Sequence, residues 1–475
     1  MNRRLIALLA MAALTVGAQA KVRLPHLIGD NMIVQQNTQA RLWGWDQPGK
    51  KVVVSTSWTD TKYTAKTDKS GRWEVKVDTP EGSMTTLSIT FDDGEPVTIS
   101  GVLSGEVWVC AGQSNMEMPL RGFGQCPVED YNNVVLDASG SAGVHFAKIP
   151  SVMSMTPQED ANCEWKVCSP STVSNASATG YFFARLVNRT LGIPVGIIEA
   201  NKGGTRVEAW LNEQNLKTYT DEPLDSVSIY SRGEMERQLV WGNATFNPVL
   251  KYTVKGIVYY QGCSNVGNHT SEYAERLALL VKQWREGFGL GEIPFYFVEI
   301  APYFYDNSDG TAAALLREQQ YKASTMIPHS GLVGTNDAAY KWEYRNIHPS
   351  QKRKVGERLA LWALADTYGQ TGLIHKSPSY ESMTVVGNEV HVKLKDTFDG
   401  VQPIDFIEGF EVAGADRVFH KATAYADWWK GIVVSSPEVS EPVAVRYCFH
   451  NFALGNLKNQ GGLPLIPFRS DNWDE

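Results

Sequence analysis

Between Val107 and Tyr368 short apolar segments alternate with longer helix-patterned ones, and this rhythm constrains the fold most. The strand candidates are Val107–Cys110, Val195–Glu199, Gly256–Tyr260, Phe295–Ile300 and Gly331–Gly334. The helix candidates are Ala178–Leu191, Glu272–Phe288, Ala312–Thr325 and Pro349–Tyr368, with Pro349 placed in a first turn where its missing N–H costs nothing. Apolar strands interleaved with helices predict a parallel sheet covered on both faces, an α/β core. Two long insertions interrupt the rhythm, roughly Arg121–Val173 and Asn212–Leu250. Long loops on such a core commonly shape a substrate site.

The flanks read differently. Residues 21–105 carry short strands (Ala40–Trp45, Lys51–Ser55, Trp73–Val77, Leu87–Phe91) broken by Gln47-Pro-Gly, Asp68-Lys-Ser-Gly and Asp92-Asp-Gly, a β-sandwich pattern. A strand pattern returns after residue 370, with Met383–Val386, Glu389–Leu394, Gly409–Val412, Gly431–Ser435 and Pro442–Phe449. The expected division is therefore a leader over 1–20, an N-terminal β-sandwich region over 21–105, an α/β domain over 106–369 and a C-terminal β region over 370–475.

The leader is read from Arg3 and Arg4, the apolar run Leu5–Val16 and the small-residue end Gly17-Ala18-Gln19-Ala20, the three parts of an export signal. No cysteine follows it, so a secreted or periplasmic protein without a lipid anchor is expected. No later run is long and apolar enough to span a membrane. A net charge of −8 argues against nucleic acid or an anionic membrane as partner. Export permits disulfides, and Cys163 and Cys168, among six cysteines, are near enough in sequence to pair across a tight loop. No Cys/His spacing matches a zinc site, so neither metal nor cofactor is expected. Fourteen tryptophans and nineteen tyrosines mostly serve packing, with a minority available as sugar-stacking platforms.

Chemistry-bearing residues fall at consecutive strand ends. Ser114 follows the first strand, Gly203 and Gly204 the second, Asn265 the third, Asp337 and His348 the fifth. A parallel sheet brings all these positions to one edge. A serine nucleophile needs a base, and an attack that develops an oxyanion needs donors to hold it. Ser114 would attack, and His348, opening the last helix within Ile-His-Pro, would take its proton and return it to the leaving oxygen. The Ser114 N–H, a Gly203 or Gly204 N–H and the Asn265 side chain would hold the oxyanion. Asp337 is the acid available to orient His348, and a Ser–His pair steadied by a backbone carbonyl is the alternative. Gln113, Gln261 and Arg206 are candidate substrate contacts. Gln261 would otherwise orient Asn265, and Arg121 has the weaker claim to the cleft.

Several ordered segments resemble the sialate O-acetylesterase-like family of the SGNH/GDSL hydrolase superfamily. They are LPHLIGDNMIVQQ and LWGWDQPG near the start, GQSNM at 112–116, VCSPSTVSNASATGYFFARLV from Val167, PVGIIEANKGGTRVEAW from Pro194, KGIVYYQGCSN from Lys255, NIHPSQKRKVGERLALWAL from Asn346 and VRYCFHNFALGNLKNQGGLPLIPFR from Val445. The resemblance covers nearly the whole chain. It implies an SGNH, flavodoxin-like three-layer core with flanking β-sandwich-like regions. It also implies a serine carbohydrate esterase acting on an O-acetylated sugar, foremost as a sialate 9-O-acetylesterase. Acetylated plant polysaccharide such as xylan is the second substrate reading, and a wider-superfamily lipid esterase is a third. The chain departs from the family pattern at Lys202, where tryptophan is more usual. It departs again at Cys263 in place of a glutamate, and at Asn346 in place of an aspartate two residues before the histidine. The last two give an alternative reading, a carbohydrate-binding protein whose site has decayed.

Overall fold

The computed structural model describes residues 21–473, so the expected leader over 1–20 lies outside the described residues. The core elements, in chain order, are strand β1 (Val97–Gly112), helix α1 (Ser114–Glu117), β2 (Val144–Lys148), β3 (Trp165–Val167), α2 (Ala178–Leu191), β4 (Val195–Asn201), β5 (Gly256–Tyr260), α3 (Tyr273–Phe288), β6 (Phe295–Val298), α4 (Ala312–Met326), β7 (Ser330–Val333) and α5 (Lys352–Trp362). The central sheet runs β7-β6-β5-β1-β4-β2-β3. All neighbours are parallel except β3, which is antiparallel to β2. The architecture is mixed α/β, with a mostly parallel central sheet and additional β-sheet regions.

Alternate residues of each central strand enter different cores, as the pleat demands. Val107, Val109, Ile257 and Phe295 pack with Leu277 and Leu280 of α3 and Leu316 of α4. Trp108, Cys110, Ile197, Val258 and Tyr296 pack with Tyr181 and Phe183 of α2 and Val355 and Leu359 of α5. Burial on both sides is why these strands read as continuous apolar runs. Helix α2 is closed at both ends: the Ser177 hydroxyl accepts the Gly180 N–H at 3.0 Å, and Gly192 takes a left-handed φ of +70° after the last turn.

Four expectations change. Strands β2 and β3 lie inside the segment read as the Arg121–Val173 insertion. His145 interrupts the apolar run of β2, and its ring is buried because Asn31 O and Ala142 O supply partners. The last helix starts at Lys352 rather than Pro349, because the backbone at Gln351, φ −79° and ψ +52°, is not helical; Ser350 before it gives its N–H to the Glu343 carboxylate. It also ends early, giving way to a π turn over Ala363–Thr367. Cys163 and Cys168 are not bridged; all six cysteines are free thiols. The extended strand β3 fills the space between those two, where a tight loop was expected.

The N-terminal strands include an antiparallel pair, Gln39–Trp45 with Arg72–Asp78, and a sheet that runs directly into β1. One strand therefore crosses the expected boundary at residue 105. After residue 378, two four-stranded antiparallel sheets share one core, built from Val390, Val392, Val412, Val434 and Tyr447. Among the described residues no helix is long and apolar enough to cross a membrane.

Candidate active site

Register fixes where the loops emerge. Gly112, the last residue of β1, pairs with Asn201 of β4 and Tyr260 of β5, so the turns after three neighbouring strands leave the sheet side by side. Gly112 sits at φ +138°, and a Cβ there would lie 2.3 Å from Tyr260 O. Only glycine fits this exit. The next residues enter α1 with Ser114, half-buried, at its first position.

The turn after β1 is braced from below. Gln113 is buried; its Oε1 accepts the Gly262 N–H at 2.8 Å, and its Nε2 reaches Ser264 Oγ at 3.5 Å. Gln113, expected as a substrate contact, instead uses its amide to tie the first strand end to the third. Asn115 makes the link that matters most. Its Nδ2 donates to the Ile347 carbonyl at 2.9 Å, so the residue after Ser114 is bonded to the residue before His348. The structure thus brings the Ser114 turn and the His348 loop together.

The His348 ring packs edge-on against Phe123 with centroids 5.3 Å apart, and its Nε2 is buried with no partner. Burial, then the nearby Lys352 ammonium, lowers its pKa to about 4. A neutral ring with an unoccupied nitrogen is ready to accept a proton. In this resting arrangement no hydrogen bond joins the Ser114 hydroxyl to that ring. Asn346 accepts the His348 backbone N–H at 2.9 Å and the Cys126 thiol at 3.0 Å, so it shapes the loop rather than touching the ring.

Asp337 does not pair with His348. Its two oxygens are taken by Arg358 at 2.7 and 2.9 Å, with Lys458 at 3.1 Å and Lys354 at 3.7 Å. Burial would raise its pKa, but the bonds from Arg358 and the charges of Arg358, Lys354 and Lys458 hold it at about 2. The sequence placed this acid at the correct edge and could not show that a helix cation claims it.

The oxyanion candidates also divide. Gly203 lies against Ser114, but its N–H donates to Glu117 Oε2 at 2.6 Å. Asn265 is fully buried. Its Oδ1 accepts Val207 N at 3.0 Å and Gln261 Nε2 at 2.9 Å, and its Nδ2 donates to Glu208 at 3.2 Å. Gln261, also fully buried, is held by Tyr259 and Tyr273. Asn265 and Gln261, expected to meet the oxyanion and the substrate, have their amides engaged by internal partners and brace the loop after β5. The backbone N–H groups of Ser114 and Gly204 have no such internal claim. Arg206 is about a quarter exposed and pairs with Glu236 at 3.0 Å. Arg121 bonds Asn175 and remains on the surface.

Sequence reasoning missed Asn115, Glu117 and Lys352. The first two lie within or beside the serine motif, and Lys352 lies four residues after His348, so proximity in sequence was the available signal.

Residues 104–365 match the model of the family described as carbohydrate esterase, sialic acid-specific acetylesterase. Human sialate O-acetylesterase is 27% identical over 410 residues, covering 77% of this chain and 75% of the relative. The mouse sialate O-acetylesterase is 26% identical over 467 residues, covering 82% and 84%. The crystal structure of a carbohydrate acetylesterase from Xanthomonas citri superposes with a TM-score of 0.83 at 31% identity, covering 95% of this chain and all of that one. The chain therefore belongs to the carbohydrate esterase family of sialic acid-specific acetylesterases and is an ester hydrolase.

Proposed function

We propose that this esterase removes O-acetyl groups from sugars with Ser114 as nucleophile and His348 as general base, acting as a dyad without a carboxylate partner. The observation that carries the reading is the Asn115–Ile347 hydrogen bond, which joins the serine turn to the histidine loop. Ser114 Oγ attacks the acetyl carbonyl and His348 Nε2 takes its proton. The Ser114 and Gly204 backbone N–H groups receive the oxyanion. His348 then protonates the departing sugar oxygen, and water hydrolyses the acetyl-enzyme by the same route in reverse. Family membership speaks against the decayed-site reading, since its named relatives are acetylesterases.

Sialic acid bearing a 9-O-acetyl group is the leading substrate, by analogy with the sialate O-acetylesterases. Acetylated xylan or a similar neutral polysaccharide is the second reading, and two observations favour it. Arg206, the cation best placed to meet a sialate carboxylate, is engaged by Glu236, and Lys202 beside it is engaged by Glu234 at 3.3 Å. Trp342, on the loop leading to His348, is 75% exposed and stacked on Tyr340 at 4.4 Å, leaving one indole face open to a pyranose ring. Acetate release from 9-O-acetylated sialic acid and from acetylated xylan, measured side by side, decides between them. Release from neither substrate would overturn the esterase assignment to sugars.

The same reading takes the core as an SGNH three-layer unit over 106–369 between β-sandwich-like regions at 21–105 and 370–475. It also takes residues 1–20 as a cleaved signal sending the protein to the periplasm or outside the cell.

A further inference from the structure

We propose that Lys352 is a positioning residue for the ester hydrolysis, its buried ammonium locking the Ser114 turn onto both sides of the His348 backbone. The proposal rests on the Ser114–His348 assignment. Lys352 is 1% exposed, in the first turn of α5. Its Nζ donates to Asn115 Oδ1 at 2.8 Å and to Pro349 O at 2.7 Å. The same Asn115 donates to Ile347 O at 2.9 Å. The carbonyls immediately before and after His348 are therefore held by one two-residue clamp rooted beside the nucleophile.

An ammonium in a protein interior is costly unless its surroundings need it. Here no carboxylate hydrogen-bonds it. Glu343, from the turn Lys341–Glu343, is the one anion whose charge favours it. The remaining titratable groups facing it are the Cys263 thiol after β5, the Cys126 thiol from the first insertion and His348 itself. Cys263 stands where a family glutamate is usual. Its Sγ lies 4.0 Å from Asn115 Nδ2, on the same asparagine that receives Lys352. A carboxylate there would draw the ammonium away from the clamp; a thiol leaves Asn115 and Pro349 as its partners. Burial brings the Lys352 pKa down to about 7, and its positive charge adds to burial in keeping His348 unprotonated.

A purely structural lysine and a positioning one differ in what the pH profile reads. In folded Lys352→Met, kcat for p-nitrophenyl acetate is expected to fall by about tenfold to a hundredfold, since a small displacement of the base is costly. KM should change little. The acidic limb of kcat/KM, which reports the free enzyme's base, should move to higher pH by about one unit, because the repelling charge beside His348 is gone. Lys352→Arg keeps the charge and should keep the limb near its wild-type position while kcat stays depressed. A folded Lys352→Met enzyme with an unmoved limb or near-normal kcat overturns the proposal. Should the methionine variant not fold, the His348 ring titration followed by NMR in wild type, Lys352→Gln and Lys352→Arg decides. A midpoint that rises in Lys352→Gln and holds in Lys352→Arg supports the clamp, and equal midpoints in all three overturn it. If Ser114→Ala or His348→Ala remains active, the catalytic assignment fails instead, so the two failures are distinguishable.

Discussion

Glu117 accepts the Gly203 backbone N–H at 2.6 Å, placing a carboxylate directly behind the turn that faces Ser114. A glycine N–H in this position was expected to meet the oxyanion. It instead anchors the turn, and Gly204 follows it with a left-handed φ of +78°. Glu117→Ala should free the Gly203–Gly204 turn and lower kcat by about tenfold or more through lost orientation. Glu117→Gln keeps an acceptor and should recover most of the rate. The check is kcat on p-nitrophenyl acetate for both variants, with circular dichroism to establish folding. An alanine variant as fast as wild type would refute the brace.

Ser114→Ala and His348→Ala should each remove at least about a thousandfold of turnover while leaving the fold intact, since both side chains are only half-buried and neither truncation opens a core cavity. Residues acting as one unit lose activity non-additively. The double variant should therefore be little slower than either single one. Acetate release under saturating substrate tests this.

Asp337 should matter for stability rather than rate. Asp337→Ala leaves Arg358, itself buried, without its bidentate partner. Breaking such a pair costs about 3–5 kcal/mol. The expected result is a clearly lowered Tm with kcat of the folded fraction within a few-fold of wild type. The pH sign follows from its depressed pKa of about 2. The pair's contribution is full above the ordinary carboxylate value and is lost as pH falls towards 2. The Tm difference between wild type and variant should accordingly shrink in strong acid. A selective collapse of kcat would restore Asp337 to the catalytic group.

The pH–rate profile should extend unusually far into acid. With the His348 pKa held at about 4, the base remains neutral well below pH 6. The acidic limb of kcat/KM should fall near pH 4 to 5, provided the enzyme is kept folded during the assay. A limb near 6.5 would mean the ring is as exposed as a free imidazole.

Arg206 tests the substrate. If its guanidinium meets a sialate carboxylate, Arg206→Ala should reduce kcat/KM on acetylated sialic acid by about tenfold or more, the scale of one charge-assisted contact. Turnover of p-nitrophenyl acetate should stay within about twofold. Equal losses on both would assign Arg206 to its Glu236 pair and favour the neutral polysaccharide.

The alternating pattern from Val107 to Tyr368 by itself determined the parallel core and the edge that collects Ser114, Gly203, Gly204, Asn265, Asp337 and His348. Burial on both faces of a parallel sheet writes itself as apolar runs, and strand order then sends every following turn to one side. Strand β2 escaped because a buried histidine with backbone partners reads as polar in a sequence. What the tertiary structure alone decided is which of the collected side chains remain free to react. Asp337 went to Arg358, the Gly203 N–H to Glu117, Asn265 to Gln261 and Glu208, and Arg206 to Glu236. Arg358, Glu117, Glu208 and Glu236 come from segments 21 to 86 residues away, and Gln261 from the end of the strand just before Asn265. A buried polar group bonds whichever complementary partner the packing brings within reach, and sequence spacing does not record that choice.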